Sequence, residues 1–302
     1  MPMNVVPYEP AMAGELTSLY NELIRDVPHC HPVGVDEFAA ALAPAAGQGE
    51  GHERLHSEAA FVATEGESVL GFVHVGVERP EKEEDSEQGL VRFLGYRRGR
   101  RAAGQLLLEA AEEHCRQHDL TQVKAFESRY RYWFYYLLPA HLSDRLDHVR
   151  ALLQFNDYEL FQGEVFLDWP DYEPLEPAPT DVPAEIKVEW EDGRGQRPNV
   201  RVRAIRDGGE VGSCYCISDG ESSRAPEAQE RVFVLELWVT ERLQGRRLGR
   251  YLLQRALKEA HGKGYRHAAI STDWRNYRAF LFYSNHGFRA ADWTYAFRRE
   301  LK

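Results

Sequence analysis

Two stretches of this sequence, far apart in the chain, align at a single offset. Placing Gly104 on Gly249 superposes the apolar positions of two helical patterns: Leu107 on Leu252, Leu108 on Leu253, Ala111 on Ala256 and Cys115 on Ala260. The same offset places Val123 and Ala125 of one strand-like segment on Ala268 and Ile270 of another. One offset that aligns a loop, a helix and a strand indicates an internal duplication. We therefore predict a mixed α/β protein with two tandem domains, each a central mixed β-sheet flanked by helices.

A proline-rich and acidic segment separates the two halves. Residues 169–184, WPDYEPLEPAPTDVPA, show neither helical nor strand periodicity, and their composition is typical of a semi-extended linker. With 302 residues, the chain is long enough for two domains of ordinary size. We therefore predict an N-terminal domain over residues 1–168 and a C-terminal domain over residues 185–302.

Charge and hydropathy exclude several classes of partner. The net charge of −11 repels a nucleic-acid backbone over most of the surface. No apolar run reaches roughly 18 residues, so no membrane-spanning helix is predicted. Four cysteines without a CxxC pair fit free thiols in a reducing compartment. We expect a cytoplasmic protein that binds neither nucleic acid nor membrane. The duplication makes it a pseudo-dimer, so we expect a monomer or a weak homodimer.

One short stretch contains residue types that ligate metals. The segment PHCHP at 28–32 places Cys30 between His29 and His31. Neighbours this close in the chain lack a fourth ligand at the spacing that zinc sites use. The sequence therefore predicts no metal site.

RLQGRRLGRYLL, at 242–253, is a short loop that runs from a strand-like segment into a leucine-rich helix. Such a junction offers free backbone N–H groups and the positive end of a helix dipole, and both attract phosphate. The loop contains neither GxxxxGK[ST] nor GxGxxG, so it is not a nucleotide or dinucleotide fingerprint. Its basic residues suit a small polyanionic ligand, and a solvated helix face is the alternative.

Two motifs in the second half resemble the GNAT superfamily of acyl-CoA-dependent N-acyltransferases. The family's phosphate loop has the pattern [Q/R]-x-x-G-x-[G/A] after a strand that ends in valine. Here Gln244 and Gly249 match that pattern, and Arg247 replaces the first glycine. The family pattern N-x-x-A-x-x-x-Y-x-x-x-G-F is matched at every position by Asn276, Ala279, Tyr283, Gly287 and Phe288. The resemblance covers about residues 190–302, and residues 1–168 share its order of elements.

The resemblance implies where acetyl-CoA would bind as the acyl donor. The pyrophosphate is expected on the loop amides, the pantetheine arm along the end of the preceding strand, and the thioester carbonyl at an N–H at or beside Val239. The predicted donor-binding residues are Leu237, Trp238, Val239, Gln244, Gly245, Arg246, Arg247, Leu248, Gly249, Arg250 and Asn276. We expect the Arg247 side chain to turn outward, toward the CoA 3′-phosphate, while its amide faces the pyrophosphate.

The resemblance also implies two catalytic residues. Tyr283 would protonate the leaving CoA thiolate, and a phenol is a suitable acid for that step. Glu236 is a candidate general base because it lies on the strand beside the acyl site, on the face opposite Leu235 and Leu237. Each has a structural alternative: Tyr283 as a packed aromatic, Glu236 as a solvated strand residue. Asn276 has the alternative role of a helix cap.

The first half departs from both family motifs. Its loop reads GRRAAG at 99–104, and Leu153 stands where the second half has Tyr283. We predict a divergent domain without catalysis, which could still bind CoA through its arginines. The aromatic run RYRYWFYYLL at 129–138 either lines a substrate pocket or forms a buried surface between the two domains. The second half lacks the two N-terminal helices usual in GNAT domains, so the first half is expected to supply their role.

Together these features predict an acyl-CoA-dependent N-acetyltransferase that acts on a primary amine of a small molecule or peptide. Its active site is expected in the C-terminal domain. The layout is similar to that of the mycothiol synthases, tandem GNAT proteins whose C-terminal copy is active, but no motif identifies the same substrate. The alternative is a CoA-binding regulatory or sensor protein without turnover.

Overall fold

The computed structural model describes residues 2–43, 52–82 and 86–301, which fold into two compact units. Unit 1 comprises the chain as far as Glu164, together with the C-terminal residues from Asp292 onward. Unit 2 comprises Val165–Ala291. The predicted mixed α/β class is confirmed. The chain therefore returns to unit 1 at its end, whereas the sequence assigned those last residues to the C-terminal domain.

Unit 1 is a mixed sheet with four α-helices in its described residues. Its strands are β1 (Met3–Pro7), β2 (Leu55–Glu65), β3 (Ser68–Glu78), β4 (Gln88–Tyr96), β5 (Gln122–Ala125) and β6 (Leu142–Ser143). Its helices are α1 (Ala13–Leu23), α2 (Val35–Leu42), α3 (Arg101–Gln117) and α4 (Asp147–Phe155). Strands β1 to β4 pair antiparallel, and β5 pairs parallel to β4. Strand β7 (Glu159–Trp169) runs from unit 1 into unit 2.

The last strand of the chain, β13 (Arg289–Glu300), completes the sheet of unit 1. It pairs antiparallel with β5, from Phe297 opposite Ala125 to Glu300 opposite Gln122. It also pairs with the short β6. Strand β5 has four residues, and β13 pairs with all of them. Without β13, the backbone groups on that side of β5 would lack a strand partner.

The aromatic run of the first half forms part of the core of unit 1. Tyr130, Tyr132, Phe134, Tyr135 and Tyr136 are all buried. The Tyr132 and Phe134 rings contact the rings of Tyr20 and Phe38 on α1 and α2. Tyr132 and Tyr135 also contact Phe93 on β4. The run is therefore buried as the sequence analysis expects, but through contacts inside unit 1, whereas the expectation was a surface between domains.

Unit 2 contributes five further strands and two α-helices. Its strands are β8 (Glu185–Glu191), β9 (Asn199–Arg206), β10 (Gly209–Ser218), β11 (Arg231–Val239) and β12 (His267–Asp273), and its helices are α5 (Leu248–Gly262) and α6 (Tyr277–Ser284). Strands β8 to β11 are antiparallel, and β12 is parallel to β11. Helix α5 packs on β9, β10 and β11. Throughout unit 2, all of which is described, no α-helix precedes β9, as the sequence predicts.

The two units share a β-bulge at the same place. In β4, Val91 and Phe93 pair with consecutive residues of β3, which leaves Arg92 as the extra residue. In β11, Val234 and Glu236 pair with consecutive residues of β10, which leaves Leu235 as the extra residue. Each bulge is in the strand that leads into the loop and helix aligned by the sequence offset. The shared bulge supports the predicted duplication.

The proline-rich segment at 169–184 packs on unit 2 instead of spanning open space. Tyr172 is buried, and its hydroxyl donates to the Leu257 carbonyl at 3.0 Å. The Ala178 N–H donates to Gln254 Oε1 on α5 at 2.9 Å. Prolines remove N–H donors from this stretch, and the donors that remain have scattered partners, such as the Arg266 carbonyl for the Tyr172 N–H. The segment has no helix or strand after Trp169, yet it is part of the unit.

Candidate active site

A gap opens in the sheet of unit 2 where β11 and β12 separate. The two strands pair from Arg231 opposite His267 to Val234 opposite Ile270. Beyond Val234, β11 continues to Val239 with β10 as its partner, and Gly212 lies opposite Val239. The bulge at Leu235 lies at the point of separation, and bulges bend strands in this way. One edge of β11 from Glu236 to Val239 therefore faces the gap.

Backbone groups on this edge are available for a ligand. The Thr240 N–H donates to the Val211 carbonyl at 2.9 Å, so it points toward β10. Backbone groups of successive residues on a strand point to opposite sides. The N–H groups of Val239 and Leu237 therefore point into the gap. The Val239 carbonyl accepts a hydrogen bond from Gln244 Nε2 at 3.1 Å, which ties the loop to the strand end.

The loop from Thr240 to Arg247 ends in an unusual backbone conformation. Gly245 has φ = 75°, and Arg247, the N-cap of α5, has φ = 66°. A left-handed conformation costs a non-glycine residue roughly 1 kcal/mol or more, which explains why the family pattern has glycine here. The Arg247 side chain is 63% exposed, and its Nε lies 3.7 Å from Asp181 Oδ2. The side chain is therefore turned toward solvent and Asp181, in agreement with the predicted outward direction.

A cleft of about 660 Å³ joins the strand edge, the loop and helix α6. Ten of its lining residues were predicted as donor-binding residues: Leu237, Trp238, Val239, Gln244, Gly245, Arg247, Leu248, Gly249, Arg250 and Asn276. The cleft is also lined by Leu243, Arg278, Ala279, Phe282, Tyr283 and His286. The structure thus brings together two motifs that lie far apart in the sequence.

Helix α6 presents Tyr283 to the cleft. Asn276 caps the helix, since its Oδ1 accepts the Ala279 N–H at 3.1 Å. Tyr283 is 7% exposed, and its ring centroid lies 5.4 Å from that of Phe282 and 6.3 Å from that of Phe288. Tyr283 is therefore a packed aromatic that also borders the cleft, so its two predicted roles are compatible. Asn276 likewise combines a cap with a place in the lining.

Two predicted residues are absent from the lining of the cleft. The Arg246 guanidinium donates to the Asp181 carbonyl at 2.8 Å, which directs it toward the proline-rich segment. The Glu236 carboxylate is 47% exposed and lies 3.3 Å from Arg201 Nη1. Glu236 pairs with Tyr215, whose side chain alternates with the buried Cys214 and Cys216. It therefore faces away from α5. The predicted roles of both residues stay predictions.

Three lining residues on or after α6 were not identified from the sequence. Arg278, Phe282 and His286 follow one another at spacings of four, so they form one stripe along the helix and its C-terminal turn. The His286 and Phe282 rings lie 4.3 Å apart, and His286 Nδ1 lies 2.7 Å from the Phe282 carbonyl oxygen. The sequence does contain a signal for this stripe, because the three residues recur every four positions in the same segment as the motif residues Asn276 and Tyr283.

The corresponding loop of unit 1 uses its arginines internally. It is shorter, from Arg97 to Arg100, and α3 starts at the next residue. Its guanidinium groups pair with acids of the same unit: Arg97 with Glu22, Arg98 with Asp147 and Arg100 with Glu65, while Arg101 lies over the Phe155 ring. These pairs occupy the cations that the sequence offered as CoA ligands. The absence of catalysis in this half stays a prediction.

Metal-binding clusters and membrane-spanning helices are both absent from the part of the chain that the structure describes. Within residues 2–43, 52–82 and 86–301, no cluster of three or more His, Cys, Asp or Glu side chains has a metal-binding arrangement. Over the same part of the chain, no helix combines the length and apolar character needed to cross a membrane.

Part of the chain matches a known protein family. Residues 163–288 match the Acetyltransferase (GNAT) family. These bounds nearly coincide with unit 2 and include the strand edge, the loop and all of α6. No curated protein sequence matches the chain.

Solved structures extend the likeness to the whole chain. A tandem GNAT protein from the clavulanic acid biosynthesis pathway has a TM-score of 0.66 and 16% identity, with 99% of this chain and 98% of that chain covered. A GCN5-related N-acetyltransferase from Sphaerobacter thermophilus has a TM-score of 0.59 and 14% identity, with 99% and 95% covered. A glucosamine N-acetyltransferase region of a fungal multi-domain β-N-acetylglucosaminidase has a TM-score of 0.63 and 13% identity, with 99% and 38% covered.

The family match is confined to residues 163–288, and the likeness to solved structures, at 13–16% identity, shows a shared fold. The chain as a whole has the fold of a tandem GNAT protein, as the sequence predicts.

Proposed function

We propose that this protein transfers an acetyl group from acetyl-CoA to a primary amine of a small molecule or peptide, in the cleft of unit 2. One observation carries the proposal. The free edge of β11, the loop before α5 and Tyr283 of α6 all border the same cleft. A thioester on a phosphate-bearing arm needs these three features together: an anion site, an extended edge and a proton donor.

The charge of the cleft supports a donor with several phosphates. Arg247, Arg250 and Arg278 border it. Among the described residues, neither Arg250 nor Arg278 forms an ion pair, so both are free to meet a ligand phosphate. The amides at the start of α5 and the helix dipole add to the attraction for pyrophosphate. The pantetheine amides would then pair with the Leu237 and Val239 backbone along the open edge of β11.

The reaction follows from these positions. The amine nitrogen forms a bond to the thioester carbonyl carbon, and the carbonyl electrons move onto oxygen. An N–H at or beside Val239 stabilises that oxyanion. The carbon–sulfur bond then breaks, and the Tyr283 hydroxyl supplies the proton that the leaving thiolate takes up. The acetylated amine releases its extra proton to a base, and no covalent acyl-enzyme is formed.

Glu236 is the proposed base, acting directly or through a water molecule. It follows the bulge residue Leu235 and lies close along the strand to the proposed carbonyl site. The Arg201 guanidinium at 3.3 Å holds the carboxylate and shares its negative charge. Because the carboxylate is 47% exposed and does not line the cleft, the proton is proposed to reach it through water instead of directly.

An assay of CoA release tests the proposal. The purified protein is mixed with acetyl-CoA and a panel of primary amines, and free thiol is followed over time. Because one structural neighbour contains a glucosamine N-acetyltransferase region, glucosamine belongs in the panel beside amino acids, polyamines and short peptides. We expect thiol release that depends on one amine, with the acetylated amine detected by mass. CoA binding without release from any amine would instead support the sensor alternative.

We also propose that the protein acts in the cytoplasm as a monomer or a weak homodimer. The pseudo-dimer created by the duplication supplies two GNAT-like units in one chain. Sedimentation of the purified protein tests the oligomeric state.

A further inference from the structure

Residues 172–182, which we call the α5 strap, extend from the body of helix α5 to the phosphate loop. The strap is anchored by buried Tyr172 at one end and buried Val182 at the other. Between them, Glu176 pairs with Lys258 at 2.7 Å and the Ala178 N–H donates to Gln254 at 2.9 Å. All these contacts lie within unit 2. The strap therefore reaches the N-terminal end of α5 as a fixed element.

At that end, the strap is hydrogen-bonded to Arg246, the residue before Arg247, whose backbone is left-handed. The Thr180 hydroxyl donates to the Arg246 carbonyl at 3.2 Å, and the Asp181 N–H donates to the same oxygen at 3.3 Å. The Arg246 guanidinium donates in return to the Asp181 carbonyl at 2.8 Å. Thr180 is itself held, because its Oγ1 accepts the Val182 N–H at 3.1 Å. Three hydrogen bonds thus join Arg246 to two residues of the strap.

These bonds fix the direction of the next amide. The peptide between Arg246 and Arg247 is planar and trans, so its N–H points opposite to its C=O. With the Arg246 carbonyl directed at the strap, the Arg247 N–H points away from it. A non-glycine residue does not favour the left-handed conformation that this arrangement requires, so an external restraint is needed. The strap supplies one where the family pattern has glycine.

We propose that Thr180 and Asp181 are positioning residues for the acyl donor: their backbone-directed bonds aim the Arg247 N–H at the donor's pyrophosphate. The inference rests on the proposed function, since it takes the bound anion to be that of CoA. The residues themselves touch no donor atom. They act through Arg246 and Arg247, and this would make the strap a part of the donor site.

The Asp181 side chain has an opposite effect. Its carboxylate lies 3.7 Å from Arg247 Nε, and both side chains are largely exposed. A fixed negative charge beside the phosphate loop repels the incoming pyrophosphate and occupies the Arg247 guanidinium. The Asp181 main chain therefore supports donor binding while its side chain opposes it. This predicts effects of opposite sign for changes at two adjacent residues.

Calorimetric titration of the full-length protein with CoA tests the inference without requiring turnover. Thr180→Val removes the hydroxyl bond to Arg246, and we expect the Kd for CoA to rise about fivefold. Thr180→Ser keeps the hydroxyl and should restore the wild-type Kd. Asp181→Asn keeps the main-chain bonds and removes the charge, so the Kd should fall about threefold at low salt and converge with wild type at high salt.

Glu176→Gln is the matched control within the same strap. Glu176 is 84% exposed and pairs with Lys258 away from the loop, so its loss should leave the Kd for CoA unchanged. Thermal unfolding of every variant establishes that it is folded. In turnover assays, Thr180→Val should raise the KM for acetyl-CoA and leave kcat near wild type.

The possible results distinguish a failure of the proposed function from a failure of the inference about the strap. If the wild-type protein does not bind CoA, the proposed function is wrong. If it binds CoA and Thr180→Val binds equally well, the strap has no positioning role and the inference is overturned. Weaker binding by Asp181→Asn at low salt would overturn the opposing role of its carboxylate.

Discussion

Arg247 shows how one residue can depart from a family pattern without loss of the local structure. Its φ of 66° is the conformation that glycine would adopt freely. The side chain is accommodated because it turns outward to Asp181, away from the amides of the loop. The sequence predicted that outward direction from the need to keep the loop open. It could not identify the strap partner, because residues 180 and 181 lie far from the loop in the chain.

Two substitutions at this position should differ in stability. Arg247→Gly and Arg247→Ala both remove the guanidinium, so they differ chiefly in the cost of the left-handed conformation. We expect the glycine variant to be more stable by about 1 kcal/mol, after the greater chain entropy of glycine in the unfolded state is offset. Denaturant unfolding measures the difference. Equal stability of the two variants would contradict a left-handed Arg247.

Glu236 shows what a single strand pattern cannot reveal. Strand alternation predicts that Glu236 faces away from Leu235 and Leu237, but the bulge at Leu235 interrupts that alternation, and Leu235 is itself 38% exposed. The Glu236 partner, Arg201, lies on β9, two strands away. Contacts of this kind depend on strand register, and the bulge at Leu235 shifts that register. The role of a strand carboxylate therefore needs the whole sheet before it can be argued.

At the scale of elements, the turn after α6 is the most tightly constrained part of the site. Gly287 has φ = 97°, and a Cβ at this position would lie 2.7 Å from the Trp169 ring. The turn brings Phe288 against Trp169 and Tyr283. Gly287 thus fixes the C-terminal end of α6, which carries Tyr283.

Gly287→Ala should therefore destabilise unit 2. The added methyl group meets both an unfavourable φ and the Trp169 ring, so we expect a loss of about 2–4 kcal/mol in the free energy of unfolding. Gly262→Ala, at the end of α5, is the control because nothing lies within 4 Å of the added carbon. It should be neutral or slightly stabilising. Thermal and denaturant unfolding measure the change in stability of both variants. Equal changes would contradict a steric constraint at Gly287.

The elements themselves were predicted where local pattern is strong. Helix α5 and strand β11 follow directly from leucine spacing and from a run of β-branched and aromatic residues. Strand β8 was missed, although EIKVEWE alternates apolar and charged residues, because it follows the proline-rich segment so closely. That segment was predicted as a linker because it has no periodicity. Its packing on α5 depends on isolated hydrogen bonds, and such contacts produce no periodic pattern in the sequence.

At the scale of the whole molecule, the C-terminal strand shows the limit of reading a duplication from sequence. An offset that aligns two repeats implies two self-contained domains, with 185–302 as the second. Contacts instead group the residues from Asp292 onward with unit 1, where β13 pairs with β5. The pairing joins residues far apart in the chain, and local patterns carry no information about such partners.

The interior of unit 1 contains a buried ionic cluster that affects stability as a whole. His74 lies 3.3 Å from the Glu58 carboxylate and 3.1 Å from the Tyr132 hydroxyl, and Arg92 donates to Glu58 at 2.8 Å. Burial lowers the pKa of His74 to about 4, against the smaller raising effect of its hydrogen bond to Glu58. The imidazole is therefore neutral in the folded protein at neutral pH.

This shift predicts how stability depends on pH. In the unfolded chain, His74 binds a proton once the pH drops below the ordinary histidine pKa near 6.5. In the folded protein, it binds that proton only once the pH drops to about 4. As the pH is lowered from 6.5 to about 4, the free energy of unfolding should therefore fall by up to about 1.4 kcal/mol per pH unit. His74→Gln should show a shallower fall, which separates His74 from His114 and His148, whose pKa values are also lowered by burial. Identical slopes for wild type and variant would contradict this prediction.

The proposed acyl transfer in the cleft of unit 2 depends on Tyr283 as the proton donor. The most direct test measures kcat with acetyl-CoA and the accepted amine, together with the Kd for CoA, for Tyr283→Phe. Tyr277→Phe is the matched control, since Tyr277 lies on the same helix, is 72% exposed and is absent from the lining of the cleft.

We predict that Tyr283→Phe lowers kcat by about 100-fold or more, because general acid catalysis is lost, and leaves the Kd for CoA within about twofold. Tyr277→Phe should match wild type in both quantities. A kcat for Tyr283→Phe equal to that of wild type would contradict the claim.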